Sequence, residues 1–168
     1  MATNAHRNSR DEPANVSVLV VDDFPDGLEM VAEYLTFRCF TVHVAHNGKQ
    51  AVELARAVRP DVILMDLTMP ELDGWAATKI LKADHATKRI CVVAITAHAL
   101  KVEIESALAA GCDAVIAKPF DLVALATALP HARGDCQKAF NVPGLALPWA
   151  ATRVPRRRST IHEKEREE

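Results

Sequence analysis

Apolar and polar positions along the chain follow two alternating rhythms. Short apolar runs recur at Val16–Val21, Phe40–Ala45, Val62–Met65, Ile90–Ile95 and Ala114–Ala117, each bounded by turn-forming or charged residues. Runs of this kind fit strands of a parallel sheet covered on both faces. In the second run Phe40, Val42 and Val44 alternate with Thr41 and His43, which predicts one buried face. Between the runs the spacing changes to that of a helix. Leu28, Val31, Ala32 and Leu35 lie on one helical face after Pro25-Asp26, and Ala51, Val52, Leu54, Ala55 and Val58 on another after the turn Asn47-Gly48. Glu71 to Ala83, with Trp75, Ile80 and Leu81, predicts a helix entered through an irregular loop. Ala99 to Ala110 predicts a helix that closes on Gly111. Leu122, Val123, Leu125, Ala126 and Leu129 predict a last helix, stopped by Pro130. Strand and helix thus alternate five times, which predicts an α/β domain with right-handed crossovers and helices on both faces of a parallel sheet.

The periodicity bounds the domain. Residues 1–15 are polar and aperiodic and predict a flexible N-terminal arm. Residues 16–130 form the domain. Residues 131–168 hold Pro143, Pro148, Pro155, the run Arg156-Arg157-Arg158 and the ending EKEREE, and predict a largely disordered extension. Within it, Leu145 to Trp149 is a candidate docked apolar patch, and Ser159 to Glu168 a marginal helix.

Charge and cysteine content narrow the class. The net charge is -2, but residues from His131 onward carry eight Lys/Arg against five Asp/Glu, so the domain itself is acidic. That disfavours non-specific nucleic-acid binding by the domain. Cys39, Cys91, Cys112 and Cys136 make no CxxC pair, and buried free thiols are expected at all four. The N-terminus has no apolar stretch of a signal peptide, and no apolar run is long enough to span a membrane. The cytoplasm is the expected compartment.

The chemistry lies where the strands stop. The first apolar run ends on Asp22-Asp23, the third on Asp66, the fourth on Thr96 and the fifth on Lys118. In a parallel sheet these ends share one edge, where open α/β domains bind ligands. Three carboxylates at close range repel unless a cation is present. Few oxygen ligands with room for water suit Mg²⁺. A Lys and a Thr beside it suggest a phosphoryl group, with Lys as a point charge and Thr as a hydrogen-bond donor. Asp66 is then placed to act as nucleophile, in a reaction that needs positioning and charge neutralisation above all.

These residues also carry a resemblance. The acidic pair Asp22-Asp23, "MDLTMPELDG" around Asp66, "AITA" at Thr96 and "GCDAVIAKPF" around Lys118 resemble, in order, the motifs of receiver domains of two-component response regulators. The match covers about Val16 to Leu129. It implies a flavodoxin-like (βα)5 doubly wound fold with strand order 2-1-3-4-5. It implies that Asp66 accepts phosphate from a sensor histidine kinase or a histidine phosphotransfer protein. Asp22, Asp23 and Asp66 would hold Mg²⁺ with the backbone carbonyl of Thr68, while Thr96 and Lys118 would bind phosphoryl oxygens. Ala97 would leave room for them, and Pro119 would follow Lys118 through a cis peptide. Thr68 and His98 match positions that tune dephosphorylation in the family. Val115 departs from the pattern, since receivers usually carry Tyr or Phe there as a rotameric switch. The implied output is contact with an unknown downstream protein or phosphate relay, with no DNA binding, no membrane and no enzymatic turnover beyond self-catalysed phosphorylation and dephosphorylation.

Other readings compete. Asp22 and Asp23 could be helix-capping residues, although a cap needs only one acid. Lys118 could be a snorkelling surface lysine. His43, His46, His85 and His98 lack metal-ligand spacing and are expected at the surface, with Trp75 packed on its helix. A receiver-like scaffold could bind partners regardless of phosphate. An aspartyl-phosphate phosphatase of the haloacid-dehalogenase type would want a second Asp where Thr68 stands. A flavodoxin-like nucleotide binder would want a Gly-rich loop after the first strand.

Overall fold

The computed structural model describes residues 15–145. Five strands, β1 (Ser17–Val21), β2 (Thr41–Ala45), β3 (Val62–Asp66), β4 (Cys91–Thr96) and β5 (Ala114–Ala117), form one sheet in the order β2-β1-β3-β4-β5. All neighbours pair in parallel. Helices α1 (Pro25–Phe37), α2 (Gly48–Val58), α3 (Gly74–Ala83), α4 (Lys101–Ala110) and α5 (Leu122–Ala128) connect or follow the strands. This is the flavodoxin-like order that the motifs imply.

Alternation along the strands divides the core into two layers. Val18, Val20, Val62, Leu64, Val93 and Ile95 meet α1 and α5 through Leu28, Val31, Leu35 and Leu125. Leu19, Val21, Ile63, Met65, Val92 and Ala94 meet α2, α3 and α4 through Ala51, Ala55, Ala77, Leu81 and Ile104. The central strands β3 and β4 are buried at every position, as continuous apolar runs require. The edge strand β2 is different. Phe40 is buried just before it, but Val44 is 43% exposed, so the expected alternation fails on the open side of the sheet.

Side chains set the helix ends. Asn47 accepts from the Gln50 N–H at 2.8 Å, Asp73 from Ala76 at 2.8 Å and Asp121 from Val123 at 2.7 Å. Gly111, at φ 108°, closes α4 in the left-handed region.

Two expectations need correction. The first is the end of folded structure at residue 130, for although α5 stops at Ala128 as expected, order does not stop at Pro130. That residue sits inside a 3-10 turn (Leu129–His131), and the chain continues through α6 (Cys136–Ala139). Ala132, Ala139, Phe140 and Leu145 are all buried in the α1/α5 layer. The first part of the predicted disordered extension is therefore folded, and Leu145 of the candidate patch is docked. Residues 1–14 and 146–168 lie outside the described part, including the rest of that patch, the arginine run and the marginal helix. The second correction concerns the cysteines. Cys91 and Cys136 are joined by a disulfide, with Cα atoms 5.9 Å apart, and Cys39 is exposed. Only Cys112 is a buried free thiol, and burial pushes its pKa up to about 11.

Candidate functional site

The sheet reverses direction of growth at β1, which has β2 on one side and β3 on the other. A crevice forms at such a point, outside the carboxyl ends of the strands. Asp22 follows the last residue of β1, and Asp66 is the last residue of β3. Register places their strands side by side, with Val21 opposite Met65.

Local turns fix both carboxylates. Asp22 Oδ1 accepts the backbone N–H of Phe24 at 2.8 Å, and Asp66 Oδ1 accepts that of Thr68 at 2.8 Å. Each acid thus ties down the loop that follows its strand and leaves its second oxygen facing the crevice. Both second oxygens are taken by one cation. Lys118 Nζ lies 2.8 Å from Asp22 Oδ2 and 3.1 Å from Asp66 Oδ2. Lys118 follows β5 directly, and its own backbone N–H donates to the carbonyl of Thr96 at 2.8 Å. The Lys118–Pro119 peptide is cis, as the motif implies.

Burial and charge act against each other here. Asp22 and Asp66 are 7% and 9% exposed. Desolvation is the largest influence on Asp66 and raises its pKa, helped by the neighbouring charge of Asp22 and opposed by the Thr68 N–H and Lys118. Lys118 would be pushed down by its own burial. Its hydrogen bonds to Asp22 and Asp66 outweigh that, so its pKa is raised and the ammonium is held.

Asp23 is exposed at the rim. Carboxylate oxygens of Asp22, Asp23 and Asp66 lie within 4.8 Å of one another. The donor set suits Mg²⁺ in two ways. All three ligands are hard oxygens, and the exposed side leaves room for the waters that Mg²⁺ keeps. The ammonium between Asp22 and Asp66 shows the same demand for positive charge, met from within the chain.

The other predicted residues fall around this cluster. Thr96 ends β4 and is 3% exposed, and its hydroxyl is engaged by the turn that follows the strand. It donates to the carbonyl of His98 at 3.0 Å and accepts the His98 N–H at 3.1 Å. Thr68 lies exposed in the loop after β3, with its backbone against Asp66. Val115 is buried in the apolar layer beneath α4. His46, His85 and His98 are exposed and His43 is half-buried, with no shared site. Trp75 packs partly buried against the α2–α4 layer, as expected.

Gly74 was not singled out for function, yet it shapes the site. A Cβ there would overlap the carbonyl oxygen of Asp66 and stand 2.8 Å from the Cα of Leu67. The start of α3 therefore presses directly on the backbone of the central acid. The Gly at the end of "MDLTMPELDG" was the available signal.

Comparison with known proteins agrees with this geometry. Residues 18–130 match the model of the response regulator receiver domain, more than half of the chain. The polar-differentiation response regulator DivK of Brucella anthropi is 34% identical over 119 residues, which span 71% of this chain and 97% of that protein. The receiver domain of a sensor histidine kinase from Pseudomonas aeruginosa, solved with magnesium coordinated in its active-site cleft, is 35% identical. It superposes with a TM-score of 0.67 over 72% of this chain and 99% of that one. The chemotaxis protein CheY4 of Vibrio cholerae gives 28% identity and a TM-score of 0.64 over 67% of this chain and 93% of its own.

Proposed function

This chain belongs to the response regulator receiver domain family, and on that premise we propose that Asp66 is its phosphoacceptor, charged by a histidine kinase or a histidine phosphotransfer protein. The observation that carries the reading is one ammonium, Lys118, bridging two desolvated carboxylates at 2.8 and 3.1 Å at the switch point of the sheet. An isolated surface acid would have neither the burial nor the cation.

In the proposed reaction a carboxylate oxygen of Asp66 attacks the phosphorus of a phosphohistidine. The O–P bond forms as the P–N bond breaks, and the leaving imidazole takes up a proton. Burial strips water from the Asp66 carboxylate, which strengthens it as a nucleophile. The Thr68 N–H holds one of its oxygens and so orients the other. Lys118 stays charged and is within reach of the incoming phosphoryl oxygens. Mg²⁺, held by Asp22, Asp23, Asp66 and the Thr68 carbonyl, would supply the remaining neutralisation of phosphoryl charge. After transfer, the Thr96 hydroxyl would exchange its contacts at His98 for a phosphoryl oxygen and draw the β4–α4 loop inward. Ala97, small and exposed, leaves the path open. With Val115 at the usual aromatic position, this loop movement rather than a ring flip is the proposed readout.

The chain turns over no separate substrate in this reading. Its output is contact with a downstream protein or relay of the phosphate, in the cytoplasm, without DNA binding. No helix among the described residues is long and apolar enough to cross a membrane. The direct test uses Mg²⁺, a small acyl phosphate and intact mass. Wild type should gain one phosphoryl group and Asp66→Asn none. Steady turnover of a small phosphomonoester would instead favour the phosphatase reading, and equal partner affinity with and without phosphate the scaffold.

A further inference from the structure

The edge of the sheet opposite Asp66 holds a second reactive group. Cys91 is the first residue of β4, and Cys136 is the first residue of α6. The segment between His131 and Leu145 starts at this edge and returns along α5. Arg133 binds Asp61 Oδ2 at 2.7 Å and the carbonyl of Asn15 at 2.9 Å, which fixes the start of the segment to β3 and β1. Ala139, Phe140 and Leu145 enter the core. Gly144 then lies against Asp121 and Ala124, and its carbonyl accepts the Asp121 N–H at 3.4 Å. Asp121 is three residues from Lys118. The segment is a strap that links the cysteine pair to the loop after β5.

We propose that Cys91 and Cys136 form a reversible thiol–disulfide site whose oxidised state clamps this strap, with a low-molecular-weight disulfide as co-reactant. A disulfide in a reducing compartment is a switched bond rather than a permanent one. That part of the argument rests on the proposed cytoplasmic setting. Cys136 is the more exposed of the two, while Cys91 is 6% exposed and lines a cleft with Pro60, Arg89 and Arg133. The Cys136 thiolate attacks one sulfur of the small disulfide and expels the other as a thiolate, which takes a proton. Cys91, as thiolate, then attacks the Cys136 sulfur and expels the second small thiol. Two protein thiols are oxidised and one small disulfide is reduced to two thiols.

Asp113 lies close enough to complete a three-ligand metal set with the two sulfurs. Its Oδ2 is already engaged by Lys82 Nζ at 2.7 Å and the Val92 N–H at 2.9 Å. The carboxylate is thus neutralised and held in a structural role, and redox chemistry fits the pair better than a metal.

The test uses the full chain equilibrated in glutathione buffers of graded ratio. Free thiols are alkylated, and the digest is read by mass spectrometry. The Cys91–Cys136 peptide should form in mainly oxidised buffer and vanish in mainly reduced buffer, unchanged in Asp66→Asn. That control separates this site from the phosphoacceptor reading. Amide exchange at Ala139, Phe140 and Leu145 should be about ten-fold or more faster in the reduced chain. Cys136→Ser should show the fast rate in both buffers. The proposal is overturned by a linked peptide that is absent at every ratio or resists reduction at every ratio. It is equally overturned by a reduced chain that retains zinc in native mass spectrometry, or by exchange rates indifferent to the buffer.

Discussion

At the residue scale the account turns on Asp66, a carboxylate that burial makes costly to ionise. Its raised pKa fixes the sign of a pH effect. A carboxyl whose folded pKa lies above its unfolded value favours the fold below the unfolded value, and that advantage is lost as pH rises through the folded value. Asp66→Asn removes the ionisation. In metal-free buffer the variant should melt higher than wild type at neutral pH, and the gap should close as the pH falls through the carboxylate range. Thermal unfolding followed at several pH values checks this. A variant that melts lower at neutral pH would mean that Asp66 is held mainly by Lys118. Asp22, Asp23, Asp66 and Lys118 were legible in the sequence because phosphoryl chemistry needs those side chains and apolar runs mark where strands end. The hydroxyl direction of Thr96 was not legible. It depends on a two-residue turn at His98, which no spacing rule encodes.

At the element scale the five strands and five helices were legible because period 2 or continuous apolar runs differ sharply from period 3.6. The strap was not. It has four buried anchors, Ala132, Ala139, Phe140 and Leu145, at irregular spacing, and its helical pieces have three and four residues. Its disulfide joins residues 45 apart in sequence, a separation without a local signature. Periodicity marked β2 only as a strand, and its place at the edge came from the strand order that the motif resemblance implies. If the strap is part of the cooperative core, Phe140→Ala should lower the unfolding free energy by about 3–5 kcal/mol, the usual range for a buried Phe. Denaturant titration measures this, and a loss under about 1 kcal/mol would mark the strap as peripheral. Gly74→Ala tests the other close approach. The added Cβ has only backbone to push against, so a loss of about 1–3 kcal/mol is expected, with slower phosphorylation because Asp66 moves with it. Unchanged stability would show that α3 can shift freely.

At the scale of the whole molecule the fold has two ends with different chemistry. The carboxyl ends of the strands gather three acids, a hydroxyl and an ammonium. The opposite end carries the Arg133–Asp61 ion pair and the cysteine pair. The strap spans both, from Cys136 to the loop beyond Lys118. Strand order brings Asp22 and Asp66 together although 44 residues separate them along the chain, and Lys118 is 96 residues from Asp22. Only the parallel arrangement makes one site of them.

The most direct measurement locates the phosphoryl group at residue resolution. The protein is treated with Mg²⁺ and a small acyl phosphate, reduced with borohydride, digested and sequenced by mass spectrometry. An aspartyl phosphate is converted by this treatment to homoserine. The account predicts homoserine at position 66 alone, dependent on Mg²⁺. Homoserine at Asp22 or Asp23, or a phosphoryl group on another residue type, would contradict it.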